Sequence, residues 1–297
     1  MTAKLIDGKA IAEQINTETA FEIARLKSEK RVTPGLAVIL VGDNPASTTY
    51  VAMKDKMCVR LGLHSERIDR PASTSQGELI AIIDDLNFKR SIHGILVQSP
   101  LPRPISETAI FSAIDPGKDV DGFHPMNVGR LALGDTSGFV PCTPAGVHQL
   151  LIRNNVSLDG AHVVVVGRSR IVGRPLSLIL SQKATYANAT VTLCHSRSKN
   201  LAEICRSADV LIAAIGSPHF VKADMVREGA VVIDVGINRV DDKTAEKGYR
   251  LVGDVDFEAV VAKASLITPV PGGVGPMTIA MLMHNTVRAA KMRQGIV

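Results

Sequence analysis

The chain has no tryptophan, only three tyrosines and 3% aromatic residues altogether, too few for the platforms on which single-stranded nucleic acid stacks. Its four cysteines, Cys58, Cys142, Cys194 and Cys205, form no C-x-x-C pair and no zinc spacing. Free thiols in a reducing cytoplasm are therefore expected, with neither a disulfide framework nor a metal site. No block of five like charges occurs. No apolar run reaches the length of a membrane span either, because Met277 to Met283 leads straight into His284, Asn285 and Arg288. The opening MTAKLIDGKAIAEQI interleaves Lys4, Asp7, Lys9 and Glu13 with its apolar residues, unlike the uninterrupted core of a signal peptide. Internal repeats and low-complexity tracts are absent. The expectation is a cytoplasmic protein with neither a nucleic-acid nor a membrane partner.

What is present suits a globular protein acting on small molecules. A chain of 297 residues with 45% hydrophobic and 21% charged content exceeds the usual single domain, so two domains sharing a cleft are expected. The net charge of +5 favours phosphorylated or carboxylated small ligands.

The most informative stretch is HVVVVGRSRIVGRP, His162 to Pro175. Four valines run into Gly167, a polar turn follows, and Leu176 to Leu180 then reads as helix: a buried parallel strand, a phosphate-facing turn and a helix start. The match to G-x-G-x-x-G is imperfect, since Ser169 replaces the second glycine and Gly173 comes one place late. Alone, this is equally compatible with an ordinary strand-to-helix turn. Further strands are expected at 190 to 194, 209 to 215, 230 to 235 and 265 to 268. Short apolar strands alternating with helices imply a doubly wound parallel sheet.

Upstream, residues 10 to 30 read as an amphipathic helix and Leu36 to Val41 as a buried strand. Asn44 and Pro45 are a good N-cap and first residue for a helix that stops at Gly62. On it Tyr50 and Lys54 share a face by their i, i+4 spacing. Ser75-Gln-Gly-Glu78 is a capping box for a helix to about Asn87. A strand over 94 to 97 ends at Gln98, and a loop bounded by proline and glycine holds Lys118, Asp119 and Asp121. Thr143 and Pro144 are expected to begin a helix reaching about Asn154, and a last helix from Pro276 to about Met292 is expected to return to the N-terminal domain.

Ligands bind beyond the carboxyl ends of parallel strands, where Lys54, Gln98 and Asp121 are expected, with Tyr50 as a flat apolar face. Each also has a plainer reading: a solvated lysine, a strand-ending glutamine, a loop-capping aspartate. Asp119-Val-Asp121 can be read as a metal site, but no further carboxylate or clustered histidine supports it. The strand over 189 to 193 ends without the acidic residue that would hold a ribose 2'-hydroxyl. Ser196 and Arg197 stand there instead, and with Arg168 in the first turn they favour NADP over NAD. Pro269-Val-Pro-Gly-Gly-Val-Gly-Pro276 brings backbone close to a ligand or serves as a stiff connector, and one X-Pro bond there is a candidate for the cis form.

Taken together, Tyr50-Val-Ala-Met-Lys54-Asp-Lys56, Val97-Gln98-Ser-Pro-Leu-Pro102, Lys118-Asp-Val-Asp121-Gly-Phe-His-Pro125, Pro141-Cys-Thr-Pro-Ala-Gly146, Gly167-Arg-Ser-Arg-Ile-Val-Gly-Arg-Pro175 and Pro269 to Thr278 closely resemble the bifunctional methylenetetrahydrofolate dehydrogenase/methenyltetrahydrofolate cyclohydrolase (FolD) family, over essentially the whole chain. The resemblance implies a two-domain α/β fold. An N-terminal α/β domain with a mainly parallel sheet (residues 1–146 and 277–297) would bind folate, a C-terminal Rossmann-type doubly wound domain (147–276) would bind NADP, and the active-site cleft would lie between them. It implies NADP-dependent oxidation of 5,10-methylenetetrahydrofolate followed by hydrolysis to 10-formyltetrahydrofolate, in a cytoplasmic homodimer acting on tetrahydrofolates that include polyglutamylated forms. By the same resemblance Lys54 is the catalytic lysine, Gln98 its partner, Tyr50 the residue packed on folate and Asp121 the pterin anchor. Pro271, Gly272 and Gly273 border the folate, while Gly167, Arg168, Ser169, Ile171, Val172, Gly173, Ser196, Arg197 and Ile237 hold the cofactor. Ser99 departs from the pattern, in which an apolar residue commonly follows the glutamine. The competing readings are a dehydrogenase without the hydrolytic step, a Schiff-base lysine enzyme and a non-catalytic NADP-binding protein.

Overall fold

A computed structural model describes residues 2–245 and 248–296. In chain order its elements are β1 (Lys4–Leu5), α1 (Gly8–Lys30), β2 (Gly35–Val41), α2 (Pro45–Leu61), β3 (His64–Arg70), α3 (Gln76–Phe88), β4 (Gly94–Val97), α4 (Glu107–Ala113), α5 (Pro125–Leu133) and α6 (Cys142–Arg153). They continue with β5 (His162–Val166), α7 (Gly173–Ser181), β6 (Thr190–Cys194), α8 (Leu201–Arg206), β7 (Val210–Ala213), β8 (Val231–Asp234), β9 (Asn238–Asp241), β10 (Tyr249–Val252), α9 (Phe257–Val260), β11 (Leu266–Ile267) and α10 (Val274–Arg293). The chain divides into two compact units. The first comprises Glu13–Cys142 with the chain from Ile279 onward; the second comprises Thr143–Thr278 with the chain up to Ala12.

The first unit is built on a three-stranded parallel sheet in the order β3-β2-β4. All seven residues of β2, GLAVILV, are buried, as the central strand of a parallel sheet requires. The edge strand β3, HSERIDR, has no fully buried residue and carries no apolar run that would announce it. Leu79, Ile83 and Leu86 recur at helical spacing on α3 and pack with Ile39, Ile95 and Ile110 into one core. Each such side chain contributes about 1.5 to 3 kcal/mol of burial. Local chemistry sets the helix ends. The Asn44 side chain accepts the amides of Ala46 and Ser47, and Gly62 closes α2 in the left-handed region at φ 78°. Ser75 and Glu78 form the expected reciprocal capping box of α3.

The second unit carries a six-stranded parallel sheet in the order β1-β11-β8-β7-β5-β6. The chain leaves β5 toward β6 on one side and returns to β7 on the other, which creates a switch point at the carboxyl ends of β5 and β7. Residues up to Ala12 were expected in the first unit. They belong with the second because Lys4 and Leu5 pair in register with Leu266 and Ile267, and a two-residue strand carries no periodicity to reveal so distant a partner. The antiparallel hairpin β9/β10 likewise lacks an apolar signature. Helix α6 begins at Cys142, one residue before the expected cap. The Thr143 hydroxyl instead lies 2.9 Å from that of Thr278.

Candidate functional site

The buried stripe of α2 runs Ser47, Val51, Lys54, Cys58, so helical periodicity directs a lysine where an apolar side chain would ordinarily point. Lys54 is only 6% exposed. Its ammonium donates to Gln98 Oε1 at 2.8 Å. Gln98 follows β4, and its Nε2 donates to the Ser99 carbonyl at 2.7 Å, which turns its oxygen toward the lysine. Burial lowers the Lys54 pKa, opposed by the negative charge of Asp121 and by Cys142. Tyr50, one turn earlier, is half-buried, and desolvation raises its phenol pKa. It therefore offers a neutral ring on the lysine's face.

The two aspartates of Lys118-Asp-Val-Asp121 have different surroundings. Asp119 is buried and accepts from the amides of Phe123 (3.1 Å) and His124 (2.8 Å) and from Asn127 Nδ2 (2.8 Å). Burial pushes its pKa up to about 7, against three donors that favour the ionised form. Asp119 thus builds the loop. Lys118 does so too, its ammonium donating to the carbonyls of Leu86 and Lys89 at the end of α3. Asn285 of α10 donates to the carbonyls of Val120 (2.8 Å) and Val140 (3.1 Å), tying together the two segments that flank Asp121. Gly122, at φ 74°, permits the turn, since a Cβ there would stand 2.7 Å from the Pro141 nitrogen. Asp121 is half-buried, and desolvation raises its pKa against the opposing effects of Lys54 and the Cys142 thiol. Among the described residues no group of histidine, cysteine and carboxylate side chains could hold a metal ion.

In the second unit the β5–α7 turn is pressed against its neighbours. Gly167 has φ 125°, and a Cβ on it would lie 2.0 Å from the Ala214 carbonyl oxygen; a Cβ on Gly173 would lie 1.8 Å from that of Gly167. Only glycine permits this close approach of backbone at the switch point. Where the fingerprint has its second glycine, Ser169 Oγ accepts the amides of Val172 (3.1 Å) and Gly173 (3.4 Å) and closes the turn. Arg168, in the same turn, and Ser196 and Arg197, just after β6, are exposed. Neither arginine has an acidic partner among the described residues. Ile171 and Ile237 are large apolar side chains each 41% exposed, after β5 and β8 respectively. A glycine-lined turn, two unpaired guanidinium groups and exposed apolar side chains at strand ends fit a dinucleotide carrying an extra phosphate.

The loop over 269–273 contains a cis Val270–Pro271 bond and has Gly272 at φ 110°. A Cβ on Gly8 would meet the Gly273 carbonyl oxygen at 1.8 Å, so the N-terminal segment packs directly on this loop. Sequence reasoning missed the carboxylates that shape the neighbouring loops. Fully buried Asp254 accepts the amides of Ile215 (2.6 Å), Gly216 (2.9 Å) and Ser217 (2.9 Å) and the side chain of Asn238 (2.9 Å). Asp234 in turn accepts the amides of Gly236, Asp254 and Val255. Their one sequence signal is adjacent glycine: Gly236 and Gly253 each leave room for the opposite carboxylate.

The catalytic-domain model of tetrahydrofolate dehydrogenase/cyclohydrolase matches residues 6–121, and the NAD(P)-binding-domain model of the same name matches residues 141–294. The chain belongs to the tetrahydrofolate dehydrogenase/cyclohydrolase family. It is 55% identical to the bifunctional protein FolD of Dehalococcoides mccartyi (strain CBDB1), over the full length of both. The crystal structure of the bifunctional FolD enzyme from Campylobacter jejuni superposes with a TM-score of 0.92 at 50% identity, covering 98% of this chain and 99% of that one. The Trypanosoma brucei enzyme, solved with NADP cofactor and an inhibitor, superposes with a TM-score of 0.93 at 39% identity and covers 99% of each chain. This family member is thus an enzyme, a methylenetetrahydrofolate dehydrogenase and cyclohydrolase of one-carbon metabolism. Its two-domain α/β fold, with a catalytic and an NAD(P)-binding domain, is the one the sequence predicts.

Proposed function

We propose that Lys54, Gln98, Tyr50 and Asp121 bind the folate and carry out the proton transfers, while Gly167, Arg168, Ser169, Ile171, Val172, Gly173, Ser196, Arg197 and Ile237 form the NADP site. The observation that carries this reading is the buried Lys54 ammonium held at 2.8 Å by Gln98. When bound, NADP would supply the hydride acceptor for the oxidation of 5,10-methylenetetrahydrofolate. The substrate's own N5 lone pair assists the hydride's departure, so the protein's task there is to hold the reacting carbons about 3 to 3.5 Å apart.

Hydrolysis of the methenyl product makes a different demand. Water attacks the methenyl carbon and loses a proton, and the carbon–N5 bond breaks as N5 gains one. The neutral Lys54 amine takes one proton from the attacking water and delivers it to N5, while the hydroxyl of the adduct loses its remaining proton to solvent as it becomes the formyl carbonyl; the cationic substrate and water thus give 10-formyltetrahydrofolate and one released proton, with Lys54 back in its starting state. Burial beside a cationic substrate favours the neutral amine, and Gln98 aims it. Asp121 accepts paired pterin N–H groups, and the Tyr50 ring packs on the folate. Pro271, Gly272 and Gly273 are assigned to the folate by resemblance to the family.

NADP is preferred over NAD because Arg168 and Arg197 are free to pair with the 2'-phosphate and no carboxylate follows β6 to repel it. The reading extends to a cytoplasmic homodimer that accepts polyglutamylated folates. Four buried free thiols suit a reducing compartment, and sedimentation would measure the assembly. The decisive test is Lys54→Met, which keeps the stem and removes the amine. Hydrolysis of methenyltetrahydrofolate is expected to disappear; a near wild-type rate would overturn the role.

A further inference from the structure

Four buried side-chain atoms have no hydrogen-bond partner among the described residues: Asn16 Oδ1, Thr19 Oγ1, His219 Nδ1 and Ser99 Oγ. Only Ser99 is chemically joined to the lysine site. Gln98 continues the β4 ladder by donating its backbone amide to the Ile39 carbonyl at 2.9 Å, and Ser99 is the first residue beyond it. The Ser99 carbonyl accepts from Gln98 Nε2 at 2.7 Å, and Gln98 Oε1 accepts from Lys54 at 2.8 Å. The backbone of Ser99 is therefore committed to orienting the lysine's partner, while its hydroxyl, shielded from solvent, is committed to nothing among the described residues.

A buried hydroxyl without a partner destabilises a folded protein relative to an apolar group of the same size. Alanine or a larger apolar residue would serve the free enzyme better at this position. We infer that Ser99 is a specificity-determining residue of the folate site, its hydroxyl forming a hydrogen bond with a heteroatom of the substrate's pterin ring. A serine hydroxyl both donates and accepts, which matches a fused pyrimidine ring whose edge alternates donors and acceptors. The reacting amine already has its partner in Gln98, so the hydroxyl is not needed to hold it. This inference rests on the assignment of Lys54 and Gln98 to the folate site.

The experiment compares wild type, Ser99→Ala and Ser99→Thr by thermal melting of the free proteins, by calorimetry with tetrahydrofolate and with NADP, and by steady-state rates of both reactions. Ser99→Ala is expected to melt at or above the wild-type temperature and to bind tetrahydrofolate roughly 3- to 10-fold more weakly, the worth of one neutral hydrogen bond. Its NADP affinity should stay within about twofold of wild type, while KM for the folate rises. Ser99→Thr, which keeps the hydroxyl, should recover the affinity. Unchanged tetrahydrofolate affinity in Ser99→Ala would overturn the inference. A lower melting temperature would do so too, by revealing a partner within the protein, and a loss confined to the kcat of hydrolysis would place the hydroxyl on the attacking water instead. Failure of the parent reading would look different: the wild-type protein itself would neither reduce NADP with methylenetetrahydrofolate nor hydrolyse the methenyl form.

Discussion

Lys54 and His93 are both buried basic side chains of the first unit, and their uses differ with what each one faces. Lys54 meets an amide oxygen and feels the charge of Asp121, which offsets part of the pKa lowering that burial imposes. His93 is 6% exposed and its Nδ1 accepts the Gly35 amide at 3.1 Å, so the ring must be neutral there. Burial, with Arg293 and Lys118 nearby, holds its pKa at about 4. The unfolded value near 6.5 is higher, so protonation favours unfolding: the full stability is present above pH about 6.5 and is lost as pH falls through about 4. The gap is worth about 3 kcal/mol. Urea unfolding at pH 7.5 and pH 4 should show that loss in wild type, and His93→Gln should lose markedly less. An equally acid-sensitive variant would assign the effect elsewhere. At this scale the sequence offered Lys54, Gln98 and Asp121 as candidates by position, and only the family resemblance set Asp121 apart from Asp119. Only the three donors closing around Asp119 show which carboxylate is structural.

Among the elements, the β5–α7 turn is the most constrained. The reading of 162–175 as strand, turn and helix matches β5 and α7. The degenerate fingerprint is also explained, because Ser169 supplies by its hydroxyl the turn closure that the motif obtains otherwise. Gly173 has no such latitude. A methyl group there would be driven into the Gly167 carbonyl, a backbone atom that cannot move without opening the turn. Gly173→Ala is therefore expected to raise KM for NADP by at least tenfold and to cost about 1 to 3 kcal/mol of stability, with tetrahydrofolate affinity retained. Calorimetry with each ligand separates these effects, and unaltered NADP binding would contradict the geometry. Legibility at this scale followed the range of the interactions. Helix α2, capped by Asn44 and Gly62, and α3, with its reciprocal box, are set by residues a few positions apart. Strands β1, β3 and β9 were not legible, because edge or hairpin strands without a buried residue draw their stability from partners elsewhere in the chain.

For the molecule as a whole, binding a ligand to the folded state alone adds to its stability. NADP at a hundred times its dissociation constant is expected to contribute about 2.7 kcal/mol, and NAD at the same concentration less. Replacing Arg168 and Arg197 together by alanine should bring the NADP stabilisation down to that of NAD and raise KM for NADP more than for NAD. Thermal melts with each dinucleotide, paired with steady-state rates, check this; an unchanged ratio would remove the 2'-phosphate argument. The net charge of +5 acts in the same direction over longer range, favouring polyanionic ligands and weakening with added salt.

The sequence alone determined the class of the molecule: alternating short apolar strands and capped helices that fold as two α/β units, and six motifs whose order marks the family. Those features depend on periodicity and on neighbours within a few residues, so they survive in one dimension. Tertiary structure decided what the reactive groups are able to do. Lys54 is paired with a glutamine 44 positions away, the N-terminal strand joins the sheet of the second unit, and Asp254 gathers three successive amides of a loop far from it in sequence. Desolvation, opposing charge and hydrogen-bond partners supplied from distant segments set a side chain's protonation and aim. The turn after β5 can be read in one dimension, whereas only the packed interior lowers the pKa of an ordinary helical lysine.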